Sequence, residues 1–326
     1  MSTWCIGIDF GGTFIKLGLL DRQLQLASVA EIPTPARPGD IVPAIVAGAG
    51  QLMSRHNVQA SDVAGVGIGS PGPLDAKEGV IIALPNIPGM ENLPIRDMVR
   101  DQLKTPVILE NDANVAGYGE WIAGAGKGTR NMVFLTLGTG VGSGLIVEGR
   151  MVAGDHGVGA ECGHIIVQPE GELCGCGQRG CLERYSSASY IAERVERRVK
   201  EAAYGGVLKE LLTKQGKLTT KDIVAAANAG DELARTMWDE GMYYLALGCI
   251  SICRILDPQQ IVLGGGMAQA GDDLLGPVTR HFLRQHWRLT KPLTRIVLAE
   301  LGNNAGIIGA AGLAWEAFGG GKAPGH

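Results

Sequence analysis

Asp9-Phe10-Gly11-Gly12-Thr13-Phe14-Ile15-Lys16-Leu17-Gly18-Leu19-Leu20 has a counterpart in Leu137-Gly138-Thr139-Gly140-Val141-Gly142-Ser143-Gly144-Leu145-Ile146. Each reads as a strand, a tight turn with glycine beside threonine, and a second strand. Glycines in such a turn present backbone N–H groups with no Cβ in the way, which suits phosphate oxygens. Thr13 adds a hydroxyl, Lys16 a positive charge and Asp9 a carboxylate able to hold Mg²⁺ through water. The pattern is not the P-loop G-x-x-x-x-G-K-[ST]. Nor is it a dinucleotide fingerprint, because a strand and not a helix follows the turn. A single copy would be an ordinary hairpin whose glycine supplies a positive φ. Two copies predict a duplicated domain, with a phosphate clamp closing from both.

Around these hairpins, short apolar runs alternate with helical patterns, the signature of an α/β chain. In the first half, Trp4–Asp9, Ile15–Asp21, Leu26–Ile32, Val63–Gly69 and Pro106–Glu110 read as strands. Asp40–His56, Pro94–Lys104 and Asn114–Ala125 read as helices. The second half brings strands at Met132–Leu137, Ser143–Glu148, Gln260–Leu263 and Arg295–Leu301. Its helices are Ser186–Ala203, Asp231–Leu256, Asp272–His286 and Asn304–Phe318, with Thr219-x-x-Asp222 as a capping box opening another. The expected domains are 1–115 and 116–303, with helix 304–318 packing back on the first.

Composition narrows the function. Of 326 residues, 50 are glycine, about twice the usual share of roughly 7%. Hydrophobic residues make up 45%, so the chain folds, and the glycines mark tight turns or close approach. Lys+Arg 29 against Asp+Glu 33 gives a net charge of −4, no attraction for nucleic acid or anionic membrane. No apolar run reaches the about 18 residues that span a bilayer. The start lacks a basic region and Asp9 interrupts its apolar stretch, so a cytoplasmic protein with reduced thiols is expected. Cys5, Cys249 and Cys253 sit in apolar runs and read as core thiols. His56, His156, His281 and His286 read as surface or structural histidines. Arg197, Arg198 and Lys221 read as solvated helix faces.

Two further segments carry chemistry. Glu110-Asn111-Asp112-Ala113-Asn114 lies between a strand and a helix. Ligands of α/β sheets bind beyond the carboxyl ends of strands, which suits Asp112 to a reacting hydroxyl; capping the helix is the other reading. Glu161-Cys162-Gly163-His164 precedes Cys174-Gly175-Cys176-Gly177-Gln178-Arg179-Gly180-Cys181-Leu182-Glu183. His164, Cys174, Cys176 and Cys181 supply a closed Cys₃His set for structural Zn²⁺, with no open catalytic position. That set would fix Glu161, His164 and Glu183 near one another.

Asp9-x-Gly11-Gly12-Thr13-x-x-Lys16, Glu161-x-Gly163-His164 and Cys174-x-Cys176-Gly177-x-x-Gly180-Cys181-x-Glu183 resemble the signature of the ROK family of bacterial sugar kinases and repressors. The resemblance runs nearly the whole chain and includes Gly69-Ser70-Pro71-Gly72-Pro73 and Leu263-Gly264-Gly265-Gly266. Cys162 stands where the family often has Ile. The resemblance implies the actin/hexokinase-like (ribonuclease H-like) ATPase fold, two α/β domains with a cleft between them. It implies ATP-dependent phosphorylation of a hexose, with glucose the expected acceptor. A fructokinase, a mannose kinase or an N-acetylhexosamine kinase is the alternative within the family. By resemblance Asp112 is the general base, while Asn111, Glu161, His164 and Glu183 bind sugar hydroxyls. Gly69, Ser70 and Asn86 line the sugar cleft. Gly11, Gly12, Thr13, Gly138, Thr139 and Gly140 hold the ATP phosphates, and Gly264, Gly265, Gly266 and Met267 border the adenosine. Relatives of this kind are often dimers, and polyphosphate is an alternative donor. The sugar-sensing repressors carry a DNA-binding module ahead of the first hairpin. Residue 9 leaves no room for it, and a kinase, not a non-catalytic sensor, is expected.

Overall fold

The computed structural model describes residues 3–84, 90–201, 204–285, 287, 289, 291 and 293–321. The chain opens with strands β1 (Trp4–Phe10), β2 (Phe14–Asp21) and β3 (Leu26–Pro33), then helix α1 (Pro38–Arg55). Next come β4 (Val63–Ser70), the short strands β5 (Leu74–Asp75), β6 (Val80–Ala83) and β7 (Glu91–Leu93), and α2 (Ile95–Leu103). They lead to β8 (Val107–Asn111), α3 (Asp112–Ala123), β9 (Met132–Leu137), β10 (Val141–Val147) and β11 (Arg150–Met151). Five helices follow: α4 (Leu182–Ser186), α5 (Ala188–Glu201), α6 (Val207–Gln215), α7 (Thr220–Asn228) and α8 (Glu232–Leu256). The chain closes with β12 (Gln260–Gly264), α9 (Asp272–Gln285), β13 (Arg295–Leu298) and α10 (Ala305–Phe318).

The first sheet has the order β3-β2-β1-β4-β8 and the second β11-β10-β9-β12-β13. Position by position the two orders are the same, as the twin hairpins predict. In the first, β2 runs antiparallel to β1 and β3, while β4 and β8 run parallel to β1. In the second, β12 lies parallel to both β9 and β13. A small sheet, β5-β6-β7, has no counterpart in the sequence reading.

Two compact units result. The first comprises Met1–Arg130, Gly144–Ala160 and Glu300–His326; the second comprises Asn131–Ser143 and Glu161–Ala299. In the first unit, α10 packs against β1, β4 and α3. Glycine makes that approach feasible. A Cβ on Gly7 would lie 1.8 Å from the Ile307 carbonyl oxygen, and one on Gly67 1.9 Å from that of Ala310. β4 is buried along its whole length, as expected of a strand covered on both faces. Ile6, Ile8, Leu17, Ile45, Leu52 and Ile68 belong to the core of this unit.

In the second unit, Thr219 and Asp222 form the expected capping box of α7, and Asp231 caps α8 through the Ala234 N–H at 2.9 Å. The single helix expected over Ser186–Ala203 is instead two. Ser187 is extended, at φ −80° and ψ 155°, and the Ala188 N–H donates to the Gly138 carbonyl at 2.8 Å. A donor spent on the glycine hairpin cannot continue the α4 ladder, so the helix breaks there. The strand expected to reach Leu301 ends at Leu298. Among the described residues, no helix is long and apolar enough to cross a membrane.

Candidate active site

In the first unit, the carboxyl ends of β1, β4 and β8 bring the expected groups together. Asp9 is paired in register with Lys16 and Gly69, Gly69 with Glu110, and Ser70 with Asn111. The hairpin beyond β1 closes with the Gly11 N–H on the Phe14 carbonyl at 3.0 Å. Thr34 braces it: its Oγ1 donates to the Gly11 carbonyl at 2.6 Å and its N–H to the Thr13 carbonyl at 2.9 Å. Lys16 is drawn toward Glu31, 3.7 Å away.

Of the two readings of the Asn111-Asp112 segment, helix capping is met by Asn111. Asn111 caps α3, its Oδ1 accepting from the Ala113 N–H at 2.9 Å and the Asn114 N–H at 3.3 Å. Asp112 is the first residue of the helix, and its Oδ1 accepts from the Ala113 N–H at 2.8 Å. Burial raises the Asp112 carboxyl above the ordinary range, against the backbone bonds that favour its ionised form. Asp9 is pushed up to about 6, first by burial and then by the nearby Asp112 charge, with Lys16 opposing. A half-buried acidic pair with one weak cationic neighbour is a donor set suited to a hard divalent cation held through water. Ser70 is fully buried and its hydroxyl donates to the Pro71 carbonyl at 3.1 Å. Asn86 lies outside the described residues.

In the second unit, the Gly138 N–H closes its hairpin onto the Gly140 carbonyl at 3.0 Å. Glu183 holds this hairpin. Its Oε2 accepts the Val141 N–H at 2.9 Å, and a Cβ on Gly140 would lie 2.3 Å from that oxygen. The other carboxylate oxygen is 3.7 Å from Cys174 Sγ. Gly163 fits against the same strand, where a Cβ would come within 2.0 Å of the Val141 carbonyl oxygen. The Cys162 N–H donates to Ser143 Oγ at 2.9 Å. Gly265, at φ +79°, packs on Leu137, while nothing would crowd a Cβ at Gly266 or Gly138. Met267 is buried. Glu161 precedes the turn Cys162–His164 and is exposed.

The four predicted metal ligands converge. Their ligand atoms all lie within 4.8 Å of one another. Cys176 and Cys181 sulfurs are 3.6 Å apart, and Cys174 Sγ is 3.8 Å from His164 Nδ1. A tetrahedron with metal–sulfur bonds of about 2.3 Å has edges of about 3.8 Å, so the set fits zinc. Burial pushes the Cys174 thiol up to about 12, whereas a backbone bond at Gln178 holds Cys176 below its ordinary value. A bound cation would reverse the first effect by favouring thiolate.

Sequence reasoning missed Thr34 and the Val141–Glu183 bond, which no local signal announces. It also missed Glu120 of α3. That carboxylate is fully buried and accepts the N–H groups of Ala125, Glu300 and Leu301 at 2.9, 3.1 and 2.8 Å. Of the unassigned histidines, His281 meets Asp239 at 3.0 Å, and His286 lies outside the described residues.

The chain is similar over nearly its whole length to known proteins. A glucokinase of Halalkalibacterium halodurans is 38% identical over 95% of this chain and 94% of its own length. The structure of a ROK hexokinase from Thermus thermophilus superposes with a TM-score of 0.81 at 32% identity, covering 94% of this chain and 96% of that one. A ROK family glucokinase from Streptomyces griseus, solved with glucose and AMPPNP, gives 0.79 at 33% identity over 96% and 99%. The ROK family pattern itself matches residues 5–317. The chain has the actin/hexokinase-like α/β fold and belongs to the ROK family.

Proposed function

We propose that this protein transfers the γ-phosphoryl group of ATP to a hydroxyl of glucose, forming glucose 6-phosphate and ADP. The observation that carries this reading is Asp112, a half-buried carboxyl of raised pKa beyond the end of a parallel strand, with Asp9 beside it. The glucokinases among its relatives support the choice of sugar.

Asp112 takes the proton from the sugar hydroxyl as that oxygen bonds to the γ-phosphorus and the bond to ADP breaks. A raised pKa makes it the stronger base, and such a base contributes about 10²–10⁴-fold. The remaining acceleration comes from positioning and from N–H groups aimed at phosphate charge. In the first unit those groups belong to Gly12 and Thr13, and in the second to Thr139 and Gly140; Gly11 and Gly138 shape the two loops, their own N–H groups closing the hairpins on Phe14 and Gly140. Asp9 would hold Mg²⁺ through water, and that ion neutralises phosphate charge when bound. Lys16 adds a positive charge nearby. Gly264, Gly265, Gly266 and Met267 border the adenosine, with Gly266 the open position.

Sugar hydroxyls are read by Glu161, His164 and Glu183 in the second unit and by Gly69, Ser70, Asn86 and Asn111 in the first. Several of these groups have one end already engaged. Asn111 keeps its Nδ2 as a donor, while Glu183 has Oε2 on the Val141 N–H and Oε1 3.7 Å from Cys174 Sγ. His164 turns Nδ1 to the cluster, which leaves Nε2 for a hydroxyl, as metal-bound histidines commonly arrange. Zn²⁺ on His164, Cys174, Cys176 and Cys181 is structural. A cytoplasmic homodimer is the setting we carry over from the family resemblance.

An ADP-release assay with ATP or polyphosphate and a panel of hexoses and amino-hexoses tests the proposal. We expect fastest turnover with ATP and glucose. Faster turnover of another sugar would replace the acceptor, and sugar binding with no turnover on any would remove the kinase.

A further inference from the structure

Between the loop that carries the Cys/His cluster and helices α5 and α8, all within the second unit, lies a cavity of about 500 Å³. Four guanidinium groups, Arg179, Arg194, Arg197 and Arg198, line it against two carboxylates, Glu172 and Glu240. The chain as a whole has more acids than bases, 33 against 29. An excess of two positive charges in one concavity therefore stands against the general balance, and concave walls focus such a field. The sequence reading assigns Arg197 and Arg198 to a solvated helix face. They are exposed, yet they border the same cavity as a buried arginine.

That arginine is the telling group. Arg194 is 6% exposed. Its Nη2 meets Glu240 at 2.6 Å, while its Nη1 is buried with no hydrogen-bond partner. A buried charged donor without an acceptor is costly, and such groups mark where an acceptor belongs. Glu172 does not supply it, being shared between Arg184 and Arg197. The aromatic part of the lining is a pair of tyrosines, Tyr185 and Tyr244, with ring centroids 4.3 Å apart. Tyr185 Oη accepts the Glu172 N–H at 2.9 Å, so its own proton remains available as a donor.

We propose that this cavity is a second anion site that binds a dianionic phosphate group, separate from the glycine hairpins. Guanidinium groups hold phosphate oxygens through charge-assisted, often bidentate bonds, and the tyrosines can pack against a ring attached to the phosphate. Arg179 belongs to the cluster loop, Arg194, Arg197 and Arg198 to α5, and Tyr244 to α8. A phosphate here ties that loop to two helices and stabilises the fold by mass action.

Isothermal titration of the full chain with inorganic phosphate, and separately with glucose 6-phosphate, tests the site by binding alone. Failure here therefore leaves the proposed reaction standing, and the reverse also holds. We expect saturable binding that weakens about tenfold or more in the Arg197→Gln/Arg198→Gln double variant. Lys200→Gln, on the same helix but outside the cavity, leaves binding unchanged. Neither arginine belongs to the proposed catalytic set, so retained turnover shows that the double variant is folded. Phosphate held only at the glycine hairpins would bind the double variant as tightly as the parent, and that result overturns the site. Absence of saturation at millimolar concentrations does the same. Tighter binding of glucose 6-phosphate, lost in Tyr244→Ala, identifies a sugar phosphate as the ligand; equal binding identifies free phosphate.

Discussion

The two glycine hairpins resemble each other in sequence, yet they are braced by different parts of the chain. Gly11–Thr13 is held by Thr34, just beyond the end of β3, through two backbone-directed bonds. Its support is an extension of the sheet from which it grows. Gly138–Gly140 is held by Glu183, Ala188 and the loop around Cys162 and Gly163. That loop has little core of its own: Ile166 and Leu173 are 55% and 57% exposed. Beyond its own backbone bonds, such as the Val167 N–H on the Gly180 carbonyl at 2.8 Å, we propose that the Cys/His cluster is its main support. One hairpin is braced from its own sheet, the other by hydrogen bonds from a loop that carries a proposed metal site. Loss of metal should reach the second and spare the first.

The largest effect is expected at Asp112, which touches neither brace. Asp112→Asn should cut turnover by about 10²–10⁴-fold while sugar binding persists. Near-normal turnover would move the chemistry elsewhere. The same carboxyl sets a pH limb. Burial raises Asp112, and Asp9 stands at about 6. Each is neutral below its pKa, and a neutral acid cannot accept the proton. kcat/KM should thus fall as the medium is acidified, with a midpoint above the ordinary carboxylate value of about 4. A limb centred at that ordinary value would contradict the burial argument.

Removing the metal should separate the hairpins most clearly. In Cys176→Ser, zinc content is lost and amide exchange over Gly138–Val141 speeds by about tenfold or more, while Gly11–Thr13 holds its rate. Equal acceleration in both would erase the distinction drawn above. Glu183→Ala attacks the same brace at one bond. Loss of a charged acceptor costs about 1.5–3 kcal/mol, read as a higher KM for ATP, and Glu183→Gln should recover part of it. Smallest is Thr34→Val, which deletes only the Oγ1 bond to Gly11. A loss of about 0.5–1.5 kcal/mol in thermal stability, with zinc content intact, is expected.

Much of this was legible because the signals are local. The hairpins announce themselves by glycine beside threonine between apolar runs, and Met132–Leu137 is a strand over the expected residues. Thr219 and Asp222 cap a helix at the spacing that capping requires. Three cysteines and a histidine with glycines between them form a cluster that spacing alone can suggest. What escaped depends on distant partners. Glu120 sits in a helix, and its carboxylate meets Glu300 and Leu301 from the far end of the chain. The break at Ser187 follows from Gly138 claiming the Ala188 N–H. Arg194 is indistinguishable in sequence from the solvated arginines beside it; only the packing of α5 and α8 buries it.

The seating of α10 on Gly7 and Gly67 carries a consequence for how the polypeptide is born. Translation delivers β1 and β4 well over two hundred residues ahead of Ala305–Phe318, so the founding strands emerge long before the segment that covers them. Residues 131–143 and 161–299 can collapse on the ribosome while the amino-terminal layer still shows a bare side to chaperones. A premature stop ahead of Ala305 would not merely shorten the protein. It would leave its oldest strands without the partner for which their glycines keep space.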